Sequence, residues 1–522
     1  MECMGAIDQG TQSTRFFLYN QECSPIASSQ IEFQQLYPKS GWVEQDPLTI
    51  WESMRTAIQQ TMEQAQHEHG EVVVKAIGIT NQRETTLVWD RQTGEPLHNA
   101  IVWLDNRTSG ICHEMYARFG SWDHFRQVTG LPISTYFSAY KLRWLLDNVP
   151  EVAEAAKAGR CLFGTVDSWL LYKLTGGRDG GIHVTDVVNA ARTNLMDVRT
   201  LSWHMPTLDV FGISPNMLPE IRSNAEVYGV VKDDGPLVGV PIAGCLGDQQ
   251  AALLGQRCRV HEAKSTYGTG CFVLLNTGSE VVDSAHGLLS TVGYKLGPQA
   301  DTNYALEGSI AIAGQGVSWL RDAMGFIGSA AESEEVAGSV PDTAGVYFVP
   351  AFGGLLAPWW RDDARGVILG LTQYTTKAHL VRAMLEAICF QTRDVLEAQR
   401  RDAEVHQLKA LFVDGGASQN DLLMQASLVQ AGHVLLVVVM LADLLQVPVS
   451  RPKNLETTSL GAAIAAGIGV GFWTAEQAFN GLRGAADGTL FKPQVPREDA
   501  EQRYTKWLKA VQRSMDLQDL AD

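Results

Sequence analysis

The stretch Gly244-Cys245-Leu246-Gly247-Asp248-Gln249-Gln250-Ala251-Ala252 places an acid at a junction. Asp248 follows a glycine at the end of an apolar run and precedes an apolar, helix-like segment. A little further on, Lys264-Ser265-Thr266-Tyr267-Gly268-Thr269-Gly270-Cys271-Phe272 supplies a Ser/Thr/Gly turn rich in backbone and hydroxyl donors. A carboxylate beside such a turn suits a general base next to a phosphate-binding loop, the arrangement that phosphoryl transfer needs. Two other apolar runs also end in Asp and Gly, at Ile7-Asp8-Gln9-Gly10-Thr11 and Val413-Asp414-Gly415-Gly416-Ala417. Alone, a D-x-G-[ST] turn is more often just a tight turn. The echo between Asp8-Gln9-Gly10 and Asp414-Gly415-Gly416 suggests two halves built as weak repeats.

These residues need strands and helices to hold them. Met4–Tyr19 reads as a hairpin with a Gly and hydroxyl tip. Asp46-Pro47 caps a helix expected over 48–68. His67 and His69 at its polar end read as solvent-exposed, not as metal ligands. Residues 72–80 form an apolar strand running into Asn81-Gln82-Arg83-Glu84-Thr85-Thr86, followed by strands at 87–90 and 100–103. Ligands of open α/β sheets collect at strand ends, so Arg83, Glu84 and Trp103 are candidates for a pocket. The bland alternative is a surface ion pair between Arg83 and Glu84. Tyr136, in the loop 130–139, suits either core or a pocket wall. Residues 141–148 are expected as a helix, Asp167 stands near a helix N-terminus, and 185–193 reads as a polar scaffolding loop. Residues 379–401 are expected as a long amphipathic helix, and 456–463 open a small-residue helix able to pack closely. Gly467, Gly469 and Gly471 follow a helix and so are no dinucleotide fingerprint. A Walker A motif is absent from the sequence.

A chain of 522 residues exceeds one ordinary core, and two domains are expected, 1–255 and 256–522. A net charge of −17 argues against nucleic acid or anionic lipid as partner. The eight cysteines are scattered without a C-x-x-C pair and read as reduced, buried thiols of a cytosolic protein. No secretory signal, lipid anchor or membrane-length apolar segment is evident, so a cytoplasmic location is the default expectation.

Six motifs together resemble the FGGY carbohydrate kinases, and within them the glycerol kinases, most of all the plant-type members. They are Ala6–Thr11, Thr80–Thr86, Gly247–Ala252, Ser265–Cys271, Tyr304–Gly308 and Val413–Ala417. The likeness runs from about residue 4 to 515, and the Arg83-Glu84 pocket motif separates these kinases from sugar-kinase relatives. The resemblance implies an actin-like (ribonuclease H-like) α/β fold of two domains with a deep cleft between them. It implies ATP-dependent phosphorylation of glycerol to sn-glycerol 3-phosphate, with Asp248 as general base. Glycerol would be held by Arg83, Glu84, Asp248 and Gln249, packed by Trp103 and Phe272 and closed in by Tyr136. ATP would meet Thr11, Gln12, Ser13 and Arg15 on the first turn, Thr269 and Gly270 on the second, Gly314 and Ser318 at a helix entry, and Gly416 and Asn420. Mg²⁺ would lie near Asp8, directly or through water. A homodimer or homotetramer is the family tendency.

Departures from the family pattern accompany the likeness. Gln12 replaces the Thr usual in the first phosphate turn, and its amide still donates. Ser318 stands where some members carry a Gln near the adenine. The run between Gln425 and Ala442 is longer and more apolar than in the family, an insertion near 426–441 that reads as a retained intron or mis-predicted exon. It suits either a buried strand or an exposed, aggregation-prone insertion. The regulatory loop of some bacterial members is not recognisable at 231–240. Two alternatives stay open: another FGGY polyol or sugar kinase, and a catalytically weak, nucleotide-binding regulatory protein on the same fold.

Overall fold

A computed structural model describes residues 1–406, 408–424, 428–431, 434–437, 440–481, 488–517 and 519. Two mixed sheets carry the α/β architecture. The first comprises β1 (Glu2–Gln9), β2 (Ser13–Tyr19), β3 (Pro25–Glu32), β4 (Val73–Asn81), β5 (Ala225–Val230) and β6 (Pro241–Gly247), in the order β5-β6-β4-β1-β2-β3. The second comprises β7 (Ala263–Tyr267), β8 (Cys271–Gly278), β9 (Leu289–Lys295), β10 (Thr302–Ile310), β11 (Leu411–Asp414), β12 (Val449–Pro452) and β13 (Gly488–Phe491). Its order is β9-β10-β8-β7-β11-β12-β13. The helices that bear on the site are α1 (Pro47–His69), α2 (Val187–Ala191), α3 (Asp248–Gly255), α4 (Gly314–Asp322), α5 (Lys377–Asp402) and α6 (Thr457–Gly469).

Each sheet opens with antiparallel strands, continues through parallel strands and ends on an antiparallel edge. The repeat is therefore real, but the correspondence differs from the expected one. β1 occupies the place of β7, and β4 the place of β11. The counterpart of the Asp8–Gly10 turn is Tyr267–Gly270, and Asp414 matches the end of β4. Local likeness of Asp-x-Gly suggested the wrong partner, because neighbours in a sheet are set by long-range pairing.

One helix of the second half reaches across to the first sheet. α6, sequentially in the second half, packs on the first sheet and on α3. Its small residues allow contact at backbone distance. A Cβ on Gly78 would stand 2.1 Å from the Ala462 carbonyl oxygen, and one on Gly461 would stand 1.9 Å from that of Ala251. Helix α1 begins at Pro47 with Asp46 as cap, its side chain accepting from the Leu48 amide at 3.0 Å.

Three expectations shift. Residues 185–193 are no loop: β-strand Val184–Asp186 runs into α2, capped by Asp186. The strand expected over 100–103 is only Ala100–Ile101. α5 is not amphipathic but buried on nearly every side, and its buried charged side chains are partnered. Arg382 meets Glu386 at 3.2 Å, and Asp394 accepts from Trp359, Tyr504 and Trp507.

All eight cysteines are free and buried. Within the apolar insertion, Leu428–Ala431 and Val434–Val437 pair antiparallel with each other and stand apart from the seven-stranded sheet. Residues 425–427, 432–433 and 438–439 lie outside the described residues. No helix among the described residues is long and apolar enough to cross a membrane.

Candidate active site

The site begins where two parallel strands of the first sheet end. β4 and β6 pair with Gly247 opposite Asn81, so Gln82-Arg83-Glu84 and Asp248 leave the sheet side by side. Asp248 opens α3. Glu84 holds φ +60°, a left-handed conformation costly for a residue with a long side chain. It turns the chain sharply where two charged side chains must face one centre.

Arg83 is the hub. It is 3% exposed. Its Nε meets Asp248 Oδ1 at 3.2 Å. Its two terminal nitrogens fork onto Glu307 at 2.5 and 3.0 Å. It also donates to Gln250 Oε1 at 3.2 Å and to the Tyr136 hydroxyl at 3.5 Å. Arg192 adds a second guanidinium, donating to Glu84 at 2.6 Å and to Glu307 at 3.3 Å. Glu307 lies on β10 of the second sheet, so the lattice of charges joins the two halves.

Two carboxyls on this one arginine are driven apart. Burial pushes Asp248 up to about 6, against the pull of Arg83. Burial pushes Glu307 up as well, but Arg192 and Arg83 outweigh it and hold that carboxyl at about 2. Environments that separate paired acids in this way mark acid–base roles. Asp248 keeps 29% of its side chain exposed, so a substrate can reach it.

Aromatic rings wall the same space. Trp103 lies 5.6 Å from the Tyr136 ring and 6.0 Å from the Phe272 ring, and Arg83 sits 5.6 Å over Phe272. The Trp103 indole N–H donates to the Thr11 hydroxyl at 3.0 Å, tying this wall to the first turn. The structure thus gathers Arg83, Glu84, Trp103, Tyr136, Asp248 and Phe272 together. Gln249 follows on α3, its side-chain oxygen accepting from Lys264.

The candidate phosphate turns stand at the ends of inner strands of the two sheets. In the first, Gly10 N–H donates to Ser13 O at 2.9 Å, and Gln45 braces Thr11 O at 2.6 Å. Gln82 braces Gly10 O at 3.1 Å. Gln12 is exposed and Ser13 half-buried. Arg15 bonds Asp8 at 2.6 Å and Glu456 at 2.5 Å. In the second, Gly268 N–H donates to Gly270 O at 2.9 Å, and the start of α4 is fastened there, Gly314 N–H donating to Gly268 O at 3.0 Å. A Cβ on Gly314 would meet that oxygen at 2.6 Å, so only glycine fits. Ser318 lies half-buried one turn along.

The third turn starts at Gly415, φ +86°, pressed against Tyr267, with Gly416 exposed beyond it. The Asn420 side chain donates to Ser333 at 3.1 Å and caps Leu423 at 2.8 Å. Thr457, next to Glu456, donates to Asp414 at 2.6 Å. Asp8–Arg15–Glu456 and Thr457–Asp414 therefore connect the first and third turns.

Asp8 is 3% exposed. Arg15 occupies one of its oxygens, and the other has no hydrogen-bond partner among the described residues. A hard carboxylate oxygen so placed fits a magnesium ion or its water shell.

Sequence reasoning named no role for Glu307, Arg192, Lys264 or Glu456. Each stood in a quoted motif, but its role comes from the strand or helix that faces it. The available signal was charge itself: Arg192 and Glu307 are fully buried, and both stand in otherwise uncharged or apolar stretches.

Two domain models of the FGGY family of carbohydrate kinases match the chain, the N-terminal domain over 3–255 and the C-terminal domain over 263–470. The chain belongs to this family, in its glycerol kinase branch. It is 52% identical to "Glycerol kinase" of Arabidopsis thaliana, covering 99% of this chain and 98% of that one. It is 51% identical to "Glycerol kinase 2" of Streptomyces coelicolor, covering 98% and 97%. Its fold superposes on the Plasmodium falciparum glycerol kinase solved with ADP at a TM-score of 0.90 and 38% identity, covering 98% of both chains.

Proposed function

We propose that the chain transfers the γ-phosphoryl group of ATP to glycerol, giving sn-glycerol 3-phosphate and ADP. The observation that carries this reading is the Arg83, Glu84 and Asp248 constellation, walled by Trp103, Tyr136 and Phe272. It offers charged acceptors and donors for hydroxyls and rings for a carbon backbone. A site built to bond each hydroxyl rejects analogues that lack one, since its polar groups are left unpaired.

In the reaction, the glycerol oxygen bonds to phosphorus as the bond to the β–γ bridging oxygen breaks. That electron pair leaves with ADP, and the hydroxyl proton goes to Asp248. Arg83 orients the Asp248 carboxylate through its Nε. Arg192 holds the Glu84 carboxylate. Backbone N–H groups of the turns at Gly10 and Thr269-Gly270 approach the phosphates, with Thr11, Gln12, Ser13, Arg15, Gly314, Ser318, Gly416 and Asn420 lining the nucleotide. Mg²⁺, held near Asp8, would neutralise phosphate charge when bound with ATP. The assembly is a homodimer or homotetramer in the cytoplasm.

The test is ATP-dependent glycerol 3-phosphate formation by the full chain, beside a version with residues 426–441 replaced by Phe-Gln. Because the hairpin there pairs only with itself among the described residues, activity is expected in both, and Asp248→Asn should abolish it. Silence in both versions would favour the nucleotide-binding regulatory protein.

A further inference from the structure

We infer that Lys264 supplies the positive charge that meets the transferring phosphoryl group, between the glycerol pocket and the second phosphate turn. This rests on the phosphoryl-transfer reading above. Lys264 is 0% exposed, on the central strand β7. Its ammonium donates to two neutral oxygens, Gln249 Oε1 at 2.5 Å and Thr266 Oγ1 at 2.8 Å. Among the described residues, no carboxylate lies within ion-pairing distance of it. A buried ammonium without a paired carboxylate is costly, and such groups are kept chiefly where function needs them.

Its two partners define where it sits. Gln249 follows the candidate base, and Thr266 leads into the turn Tyr267–Gly270, opposite Asp414 on β11. The ammonium thus stands at the joint between acceptor and donor. It has a third N–H to give. Burial pulls it below the usual lysine range, with Asp414 and Asp248 opposing, so an incoming anion would stabilise the charged form. As the new P–O bond forms and the bond to ADP breaks, charge on the phosphoryl oxygens is met by a fixed cation. Lys264 stays protonated throughout. A compact ammonium suits this task as a point charge.

The charges facing Asp248 are Arg83 and Glu84 from the end of β4 and Lys264 from β7. Removing Lys264 should therefore leave a second signature: the acid limb of kcat moves to higher pH. A residue that merely packs would not do this.

The experiment compares the full chain with Lys264→Met, Lys264→Arg and Asp248→Asn. Steady-state kinetics is run from pH 5 to 9, and glycerol and ADP binding are measured by calorimetry. For Lys264→Met, kcat should fall about 100-fold or more while both Kd values stay within about threefold. Lys264→Arg should recover part of the loss. Should Lys264→Met melt early, Lys264→Gln, which keeps polar contacts, is read in its place. An active parent whose Met or Gln variant keeps kcat within about threefold overturns the role of Lys264 alone. So does equal loss of kcat and of both affinities, which would make it a structural brace. A parent that makes no glycerol 3-phosphate, yet binds ADP, overturns the functional reading and this inference with it.

Discussion

Replacing Glu307 with glutamine tests whether the site depends on charge shared across the two halves. Glu307 accepts from Arg83 at 2.5 and 3.0 Å and from Arg192 at 3.3 Å. Glutamine has nearly the same shape but turns one of the two oxygens into a donor, which then faces a guanidinium. At least one charge-assisted bond is lost, worth roughly 2 kcal/mol. The two guanidiniums, which repel each other, also lose the anion between them. Breaking one member of a buried set leaves charge uncompensated and costs more than the bond itself. If about 2 kcal/mol of this reaches the transition state through a misplaced Arg83, kcat/KM for glycerol falls about 30-fold. The assay couples glycerol 3-phosphate to its dehydrogenase and follows NADH, with ADP affinity measured in parallel. ADP affinity should hold, because Glu307 bonds neither phosphate turn. A variant whose kcat/KM stays within about threefold of the parent, with an unchanged melting curve, would refute the reasoning.

Other consequences follow from the same geometry. With Asp248 at about 6 and needed as a carboxylate, kcat/KM should drop about tenfold per pH unit below that value, while Glu307, at about 2, stays ionised; a profile flat down to pH 5 would contradict this. Since folding raises the Asp248 pKa above its ordinary value, its ionised form costs stability above pH 6 and nothing below the unfolded value near 4; Asp248→Asn should therefore melt higher than the parent at pH 8 while losing activity. Gly78→Ala forces a methyl to within 2.1 Å of the Ala462 carbonyl oxygen and should cost about 2 kcal/mol or more, seen as a lower melting temperature. Trp103→Phe removes the 3.0 Å bond to Thr11 and should raise the KM for ATP about fivefold, near 1 kcal/mol, with a smaller effect on kcat.

What could be read from the sequence was whatever depends on neighbours along the chain. Arg83, Glu84 and Asp248 stood out because each leaves the end of an apolar strand, beside a glycine or a polar run. The capped helix at Asp46-Pro47 and the small-residue helix at 457–469 follow from local chemistry too. Glu307 and Arg192 did not stand out as site residues, although both lay in stretches that drew notice. Their roles come from β10 and α2 meeting the end of β4, and no spacing encodes that meeting. The repeat shows the same limit: Asp414 resembles Asp8 in its immediate neighbours, yet pairing order makes Tyr267–Gly270 the true counterpart.

The pairs hidden from sequence reasoning are those that bind the halves into one site. Arg83 comes from the first sheet, and the carboxylate that grips its fork comes from the second. Arg15 comes from the first hairpin, and Glu456 from the segment that enters α6. A guanidinium on a residue only 3% exposed is tolerable only when its anions are in place. The orientation of the Arg83 fork therefore depends on β10 standing correctly against the first sheet. Any displacement of the second half unpairs Arg83 and Arg192 together, and with them the residues that hold Asp248 and Glu84. Chemistry in the first half is thereby made conditional on the placement of the half that carries the second and third candidate phosphate turns, which is what a transfer between two substrates requires.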